Sequence, residues 1–342
     1  MEQSIRTAAA AGSGWHFISP DEAGFTSDLE ARFDEAIAEK RVWNLHGVVV
    51  VRKGSLVLER YFECDDDARG RPLGTIAFNA DTLHDLRSVS KSVVGLLYGI
   101  ALADGKVPPP DAPLLASFPE YTDLAADPAR NRWTTHDALT MKMGTDWDEL
   151  SVPYSDPTNS EIAMDMAPDR YRFVLGAPVV MKPGHRWIYN GGASALLARI
   201  IAKGTEKPLH DFARKTLFDP LAIGPTEWLT DRGGEAIAAS GLRMTPRDLA
   251  RIGLMMLNGG MWHDRRVVPV DWIERSTSPM VEVDEIRQYG YHWYLGKFAF
   301  TVSTGPRWNR SRHEHFWSAI GNGGQRLFVF PGLDLVVAIT AG

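Results

Sequence analysis

Strand-forming segments gather at the two ends of this chain, and its long middle holds few of them. Gly47-Val48-Val49-Val50-Val51-Arg52 is a β-branched run, Lys53-Gly54-Ser55 is a turn, and 56–62 reads as a returning strand. Strand patterns come back only after residue 288, over 289–295, 298–303, 316–320, 326–330 and 335–340. A helix is expected over 27–41, where Leu29, Phe33 and Ile37 recur at helical spacing. From about residue 106 the texture changes. Pro108-Pro109-Pro110 breaks the chain, and short helical stretches (135–142, 194–203, 209–218, 246–258, 269–276) alternate with turns. This order predicts an α/β (α+β) fold. A sheet domain would form from residues 1–105 and 286–342, with a mostly helical region, 106–285, inserted between them and an active site in the cleft where the two meet.

The segment that joins the first strands to the helical region carries the chemistry. Ser88-Val89-Ser90-Lys91 is the only Ser-x-x-Lys in the chain, and it opens an apolar helical run that includes Val93-Val94-Gly95-Leu96-Leu97. Positions i and i+3 share a helix face, so a Ser88 hydroxyl and a Lys91 amine can meet within one turn. Burial and the positive end of the helix would both favour a neutral Lys91, able to take the Ser88 proton as Ser88 attacks a carbonyl. A tetrapeptide alone is as readily a polar helix start with a solvated lysine. Against that, Lys91 has no charged neighbours, and Ser88, Ser92, Gly95 and Gly99 form a small-residue stripe on which another element can pack closely.

Composition narrows the alternatives. The 342 residues are 44% hydrophobic and 23% charged, which suits a globular enzyme, and the net charge of -6 argues against a nucleic-acid partner. A single cysteine, Cys64, excludes an intramolecular disulfide, and the acids around it raise rather than lower a thiol pKa. No apolar run reaches the roughly 18 residues a membrane span needs, and no signal peptide is visible, so a cytoplasmic location is expected. Gly-x-Ser-x-Gly, Walker A and His-Glu-x-x-His motifs are all absent. His313-Glu314-His315 is the only close histidine pair and no third ligand is evident, so neither a metal nor another cofactor is expected.

Two further segments can line a cleft. Tyr189 lies in Pro183-Gly184-His185-Arg186-Trp187-Ile188-Tyr189-Asn190-Gly191-Gly192, just ahead of a helix, either as a core tyrosine or projecting into a site. Gly321-Asn322-Gly323-Gly324 interrupts a strand pattern, either as a hairpin turn or as backbone approaching a ligand. The loop around Trp308, with Arg307, Arg310 and Arg312, is a specificity candidate or a solvated basic hairpin.

Taken together, these segments resemble the serine hydrolases of the penicillin-recognising fold, which include class C β-lactamases, DD-peptidases, related esterases and 6-aminohexanoate-dimer hydrolases. Leu139-Thr140-Met141-Lys142-Met143-Gly144-Thr145-Asp146-Trp147 and Gly241-Leu242-Arg243-Met244-Thr245-Pro246-Arg247-Asp248-Leu249-Ala250-Arg251 are similar to two further family segments, and order and spacing agree from Gly47 to Thr340. The resemblance implies a β-lactamase/transpeptidase-like fold with an antiparallel sheet flanked by helices. It implies Ser88 as nucleophile, Lys91 as general base and Tyr189 as the proton donor to the leaving group. The backbone N–H groups of Ser88 and Asn322 would form the oxyanion hole, with Gly321, Gly323 and Trp308 as substrate-contact candidates.

The departures carry information too. Gly191 stands where the Tyr-x-Asn motif has asparagine, and Ala319 where Lys-Thr-Gly has lysine. Both lost side chains help hold cell-wall and β-lactam substrates, so the motifs look most like those of 6-aminohexanoate-dimer hydrolase. The expected activity is hydrolysis of small linear amides or esters through an acyl-Ser88 intermediate, with a carboxylesterase or weak β-lactamase as the alternative. A catalytically silent binding protein is the rival from another class. The family usually ends in a helix packed on the sheet, whereas here the last strand runs to Thr340, so either that helix lies beyond the given sequence or part of one sheet face is less covered.

Overall fold

The computed structural model describes residues 14–42, 44–303 and 309–342. Its centre is an eight-stranded sheet made from both ends of the chain. The N-terminal part supplies β1 (Leu45–Arg52) and β2 (Ser55–Tyr61), followed by a separate hairpin of β3 (Glu63–Ala68) and β4 (Arg71–Ala77). The C-terminal part supplies β5 (Val281–Glu282), β6 (Arg287–Tyr289), β7 (Tyr294–Ser303), β8 (Asn309–Ile320), β9 (Arg326–Phe330) and β10 (Leu335–Ala341). The order across the sheet is β5-β6-β7-β8-β9-β10-β1-β2, with every neighbouring pair antiparallel. Chain ends meet where Val49 pairs with Ala338 and Val51 with Val336.

Strand alternation sorts the side chains of β1 and β10 into two layers. Val49, Val51, Val336 and Ala338 face the main core, while Val48, Val50, Val337 and Ile339 face Phe33 and Ile37 of the helix Leu29–Ala38. On the main-core face lies the helix Pro246–Leu257. A Cβ at Gly253 would sit 2.5 Å from Val336, so that glycine sets how closely helix and sheet approach. The 106–285 stretch is therefore not wholly apart from the sheet, because this helix packs directly on β9, β10 and β1.

The small-residue stripe on the helix Val89–Ala103 is used as its composition suggests. Ser92 donates to the His292 carbonyl at 2.6 Å, a Cβ on Gly95 would meet the Tyr291 carbonyl at 3.1 Å, and one on Gly99 would fall 2.1 Å from the Trp272 ring. The element packed there is 290–293, which the strand pattern wrongly included in a strand over 289–295. These residues leave the sheet between β6 and β7, carrying Tyr291 and Trp293 into the core, and β7 then runs unbroken where two strands were expected. Gly290 permits the departure, since a Cβ there would lie 2.1 Å from the Ser276 carbonyl.

A second hairpin that strand patterning passes over spans 63–77. Asp65, Asp66 and Asp67 lower β propensity, but pairing across the hairpin outweighs it, with Thr75 donating to Asp65 at 2.6 Å. Arg69 and Gly70 turn the hairpin with φ of 51° and 81°, which brings Arg69 over the start of the Ser88 helix. Of the expected loop around Trp308, Arg307 and Trp308 lie outside the described residues, whereas 309–312 belong to β8.

Gly99→Ala tests the close approach. Helix propensity alone would stabilise the variant by about 1 kcal/mol. The Trp272 contact predicts instead a loss of about 1–3 kcal/mol, read by urea denaturation.

Candidate active site

Ser88 caps the helix Val89–Ala103 and sits at the mouth of a cleft of about 270 Å³, lined among others by Arg69, Arg87, Tyr154, Ser240 and Asn322. One helical turn on, Lys91 is fully buried. Its ammonium has three donors and three acceptors in reach: Ser88 Oγ at 3.0 Å, the Ala239 carbonyl at 3.0 Å and Glu161 Oε2 at 3.3 Å. Glu149 Oε1 lies 3.7 Å away. The structure thus joins Ser88 and Lys91 as the spacing predicts.

The charge state of Lys91 differs from the sequence expectation. Burial alone would drive off its proton, but Glu161 and Glu149 outweigh burial and hold the amine protonated well above its usual range. The two carboxylates are themselves buried, and the environment pushes them apart. Burial, set against the Lys91 charge, drives Glu149 up to about 8, while Lys91 and the hydrogen bonds from Glu149 and Ser240 keep Glu161 ionised despite burial. At neutral pH the cluster therefore holds one ammonium, one carboxylate and one carboxylic acid. Ser240 donates to Glu161 at 2.5 Å, Trp147 Nε1 to Glu149 at 2.5 Å, and the Gly191 N–H also donates to Glu149.

Neither glutamate was singled out by sequence reasoning. Glu149 follows the family-like segment by two residues, and Glu161 stands in the first turn of the helix Ser160–Met166, where an acid usually just complements the helix dipole. Only one sequence signal pointed to them, the missing asparagine at Gly191. A Cβ at Gly191 would sit 2.9 Å from Glu161 Oε2 and 3.1 Å from the Glu149 oxygens. The two carboxylates occupy the room a longer side chain would need.

Tyr189 comes in from the loop before the helix Gly191–Thr205, which starts three residues earlier than expected because Asn190 caps it by accepting from Ala193 N at 3.0 Å. The tyrosine is buried beside Ser88, and its ring lies 4.8 Å from Lys91 Nζ. Burial pushes the phenol well above its usual range, so Tyr189 is a proton-bearing group. Met141, Tyr289, Tyr294 and Ile320 pack around it.

Asn322 starts a short turn, Asn322–Gly324, directly after β8 and lines the same cleft as Ser88. Both N–H groups are at the first position of a helical turn, where the helix itself offers no acceptor. Gly321 holds the turn close, since a Cβ there would meet the Leu86 carbonyl at 2.5 Å. Gly321 is therefore a spacer rather than a lining group. Gly323, with φ of 77°, faces a neighbouring cavity, and Ala319 is fully buried in the main core.

The comparisons agree with this geometry. The β-lactamase family model matches residues 35–341. The chain belongs to the β-lactamase family. It is a hydrolase of the serine type found there. The 6-aminohexanoate-dimer hydrolase of Paenarthrobacter ureafaciens is 26% identical over 325 residues, covering 91% of this chain and 74% of that protein. Among solved structures, EstCE1, a hydrolase with promiscuous acyltransferase activity, superposes with a TM-score of 0.69 at 16% identity, covering 91% of this chain and 92% of the other. A family VIII carboxylesterase gives a TM-score of 0.64 at 15% identity, covering 92% and 90%. Among the described residues, no helix is long and apolar enough to cross a membrane.

The Glu149 proton predicts a pH dependence of stability. Its folded pKa is raised above the unfolded value, so its contribution is complete below about pH 4.5 and fades as pH rises through about 8. Across pH 5 to 9 Glu161 stays ionised and Lys91 stays protonated. Glu149→Gln removes the titration, so its melting temperature should gain on the parent protein steadily from pH 5 to pH 9. A constant difference would mean that Glu149 carries no such proton.

Proposed function

We propose that this hydrolase cleaves small linear amides or esters through an acyl-Ser88 intermediate, the likeness to a 6-aminohexanoate-dimer hydrolase supporting an amide substrate. One observation carries the reading: Ser88 Oγ lies 3.0 Å from Lys91 Nζ, with Tyr189 packed beside that amine, at a cleft sized for a small molecule. Because Lys91 rests as an ammonium, the first step is a proton shift from Lys91 Nζ to Glu161, which turns an ion pair into a neutral pair. Lys91 then accepts the Ser88 proton as Oγ bonds to the carbonyl carbon. The carbonyl oxygen takes the negative charge and receives the Ser88 and Asn322 N–H groups. Tyr189 gives its proton to the leaving nitrogen as the C–N bond breaks, and water later releases the acyl group.

The wall beside Tyr189 supports a substrate other than a cell-wall peptide. Ile320 and Tyr294 pack there, and Ala319 stands at the position of the family lysine, so the strand offers no cation to a substrate carboxylate. Carboxylester hydrolysis is a second reading, supported by the likeness to the family VIII carboxylesterase and by the fact that an ester leaving group needs no proton from Tyr189.

A fluorophosphonate probe followed by mass spectrometry should place an adduct on Ser88 that Ser88→Ala abolishes. Absence of any adduct with acylating probes would favour a binding protein. Tyr189→Phe separates the substrates. Turnover of short ω-amino-acid amides should drop about 10²–10⁴-fold while p-nitrophenyl ester turnover drops far less. An equal loss on both would place Tyr189 in acylation rather than at the leaving group.

A further inference from the structure

His46 on β1, Asp66 on β3 and His84 on the short strand His84–Asp85 converge behind the Asn322 turn, about one strand layer from the Ser88 cleft. All three are buried. His46 Nδ1 and His84 Nε2 are 2.8 Å apart, and Asp66 Oδ1 lies 3.8 Å from the first and 3.7 Å from the second. Beside them is a cavity of about 180 Å³, lined by Asp66, His84, Asn322, Gly323 and Gln325 among others.

The protonation states make this an unusual grouping. His84 Nδ1 faces the Asp85 carbonyl at 2.9 Å, so that nitrogen carries the proton and Nε2 presents a lone pair to the cluster. Asp66 Oδ1 is beyond hydrogen-bonding distance of both rings. His46 must donate Nδ1–H to His84, which leaves His46 Nε2 as a buried acceptor with no partner among the described residues. With its proton on Nε2 instead, His46 Nδ1 joins His84 Nε2 and Asp66 Oδ1 as three lone-pair atoms around one point.

We propose that His46, Asp66 and His84 form a binding site for a divalent transition-metal ion of the zinc class. A tetrahedral zinc with bonds of about 2.0–2.1 Å sets its ligand atoms roughly 3.3 Å apart. The observed spacings of 2.8, 3.7 and 3.8 Å bracket that value, so shifts of a few tenths of an ångström complete the set. The His84-to-Asp85 carbonyl contact is the outer-shell hydrogen bond that fixes a metal-binding imidazole. Phe78, stacked on His46 at 4.5 Å, supplies the apolar wall. The cavity leaves a fourth position open to water or a small anion. Gln325, which donates to the Asn322 and Ala341 carbonyls, lines the same cavity.

The experiment is metal analysis and Co²⁺ titration of the full chain after chelator treatment. One equivalent of Zn²⁺ should survive dialysis, and Co²⁺ should give the visible absorption of a four-coordinate site. Asp66→Asn, nearly the same shape, and His84→Ala should each weaken binding at least tenfold. His313→Ala with His315→Ala, at exposed positions on β8, should leave it unchanged. A melt without metal shows whether each variant is folded. A parent chain that retains less than about a tenth of an equivalent overturns the proposal without recourse to any variant, as does binding that follows His313 and His315 instead.

Discussion

A buried ammonium needs an acceptor for each of its three protons, and Lys91 draws those acceptors from across the fold. Ser88 comes from its own helix, the Ala239 carbonyl from a loop nearly 150 residues later, and Glu161 from a short helix between them. Removing any one leaves a buried donor unpaired, which costs more than the bond itself contributes. The geometry of the cleft is tied to this single charge. Glu149 and Glu161 are placed around it, Gly191 must lack a side chain to admit them, and Tyr189 lies with its ring near the ammonium.

This arrangement also explains why an altered motif can keep the same nucleophile. In this chain the asparagine position of Tyr-x-Asn is glycine, and the space is filled by a proton-sharing carboxylate pair. Lys91 is thereby coupled to two acids rather than to an amide side chain. The opposite wall of the cleft is set by a glycine. Gly321 allows the β8 end to approach Leu86, so Asn322 and Ser88 line the same opening.

Much of the fold was legible because its signals are local. The β-branched run of β1, the C-terminal strands and the helix Val89–Ala103 all follow from periodicity, and the stripe Ser92, Gly95, Gly99 did foretell a close contact. The misses share a cause. Hairpin β3–β4 is held by cross-strand pairs that acidic composition hides, and residues 290–293 look like strand but leave the sheet because the core has room for Tyr291 and Trp293. In both cases tertiary contacts outweighed local propensity.

For the site, the sequence alone determined that a serine and a lysine share one helical turn, since i and i+3 must. It also determined that a tyrosine precedes a helix start, and that glycines free the backbone after β8. Only the tertiary structure decided the protonation of Lys91. A pKa in a protein interior depends on charges a few ångströms away, and the two that matter here, Glu149 and Glu161, are 58 and 70 residues distant along the chain. The same holds for His46, Asp66 and His84, which are spaced along the sequence without pattern and meet because three strands end at one place.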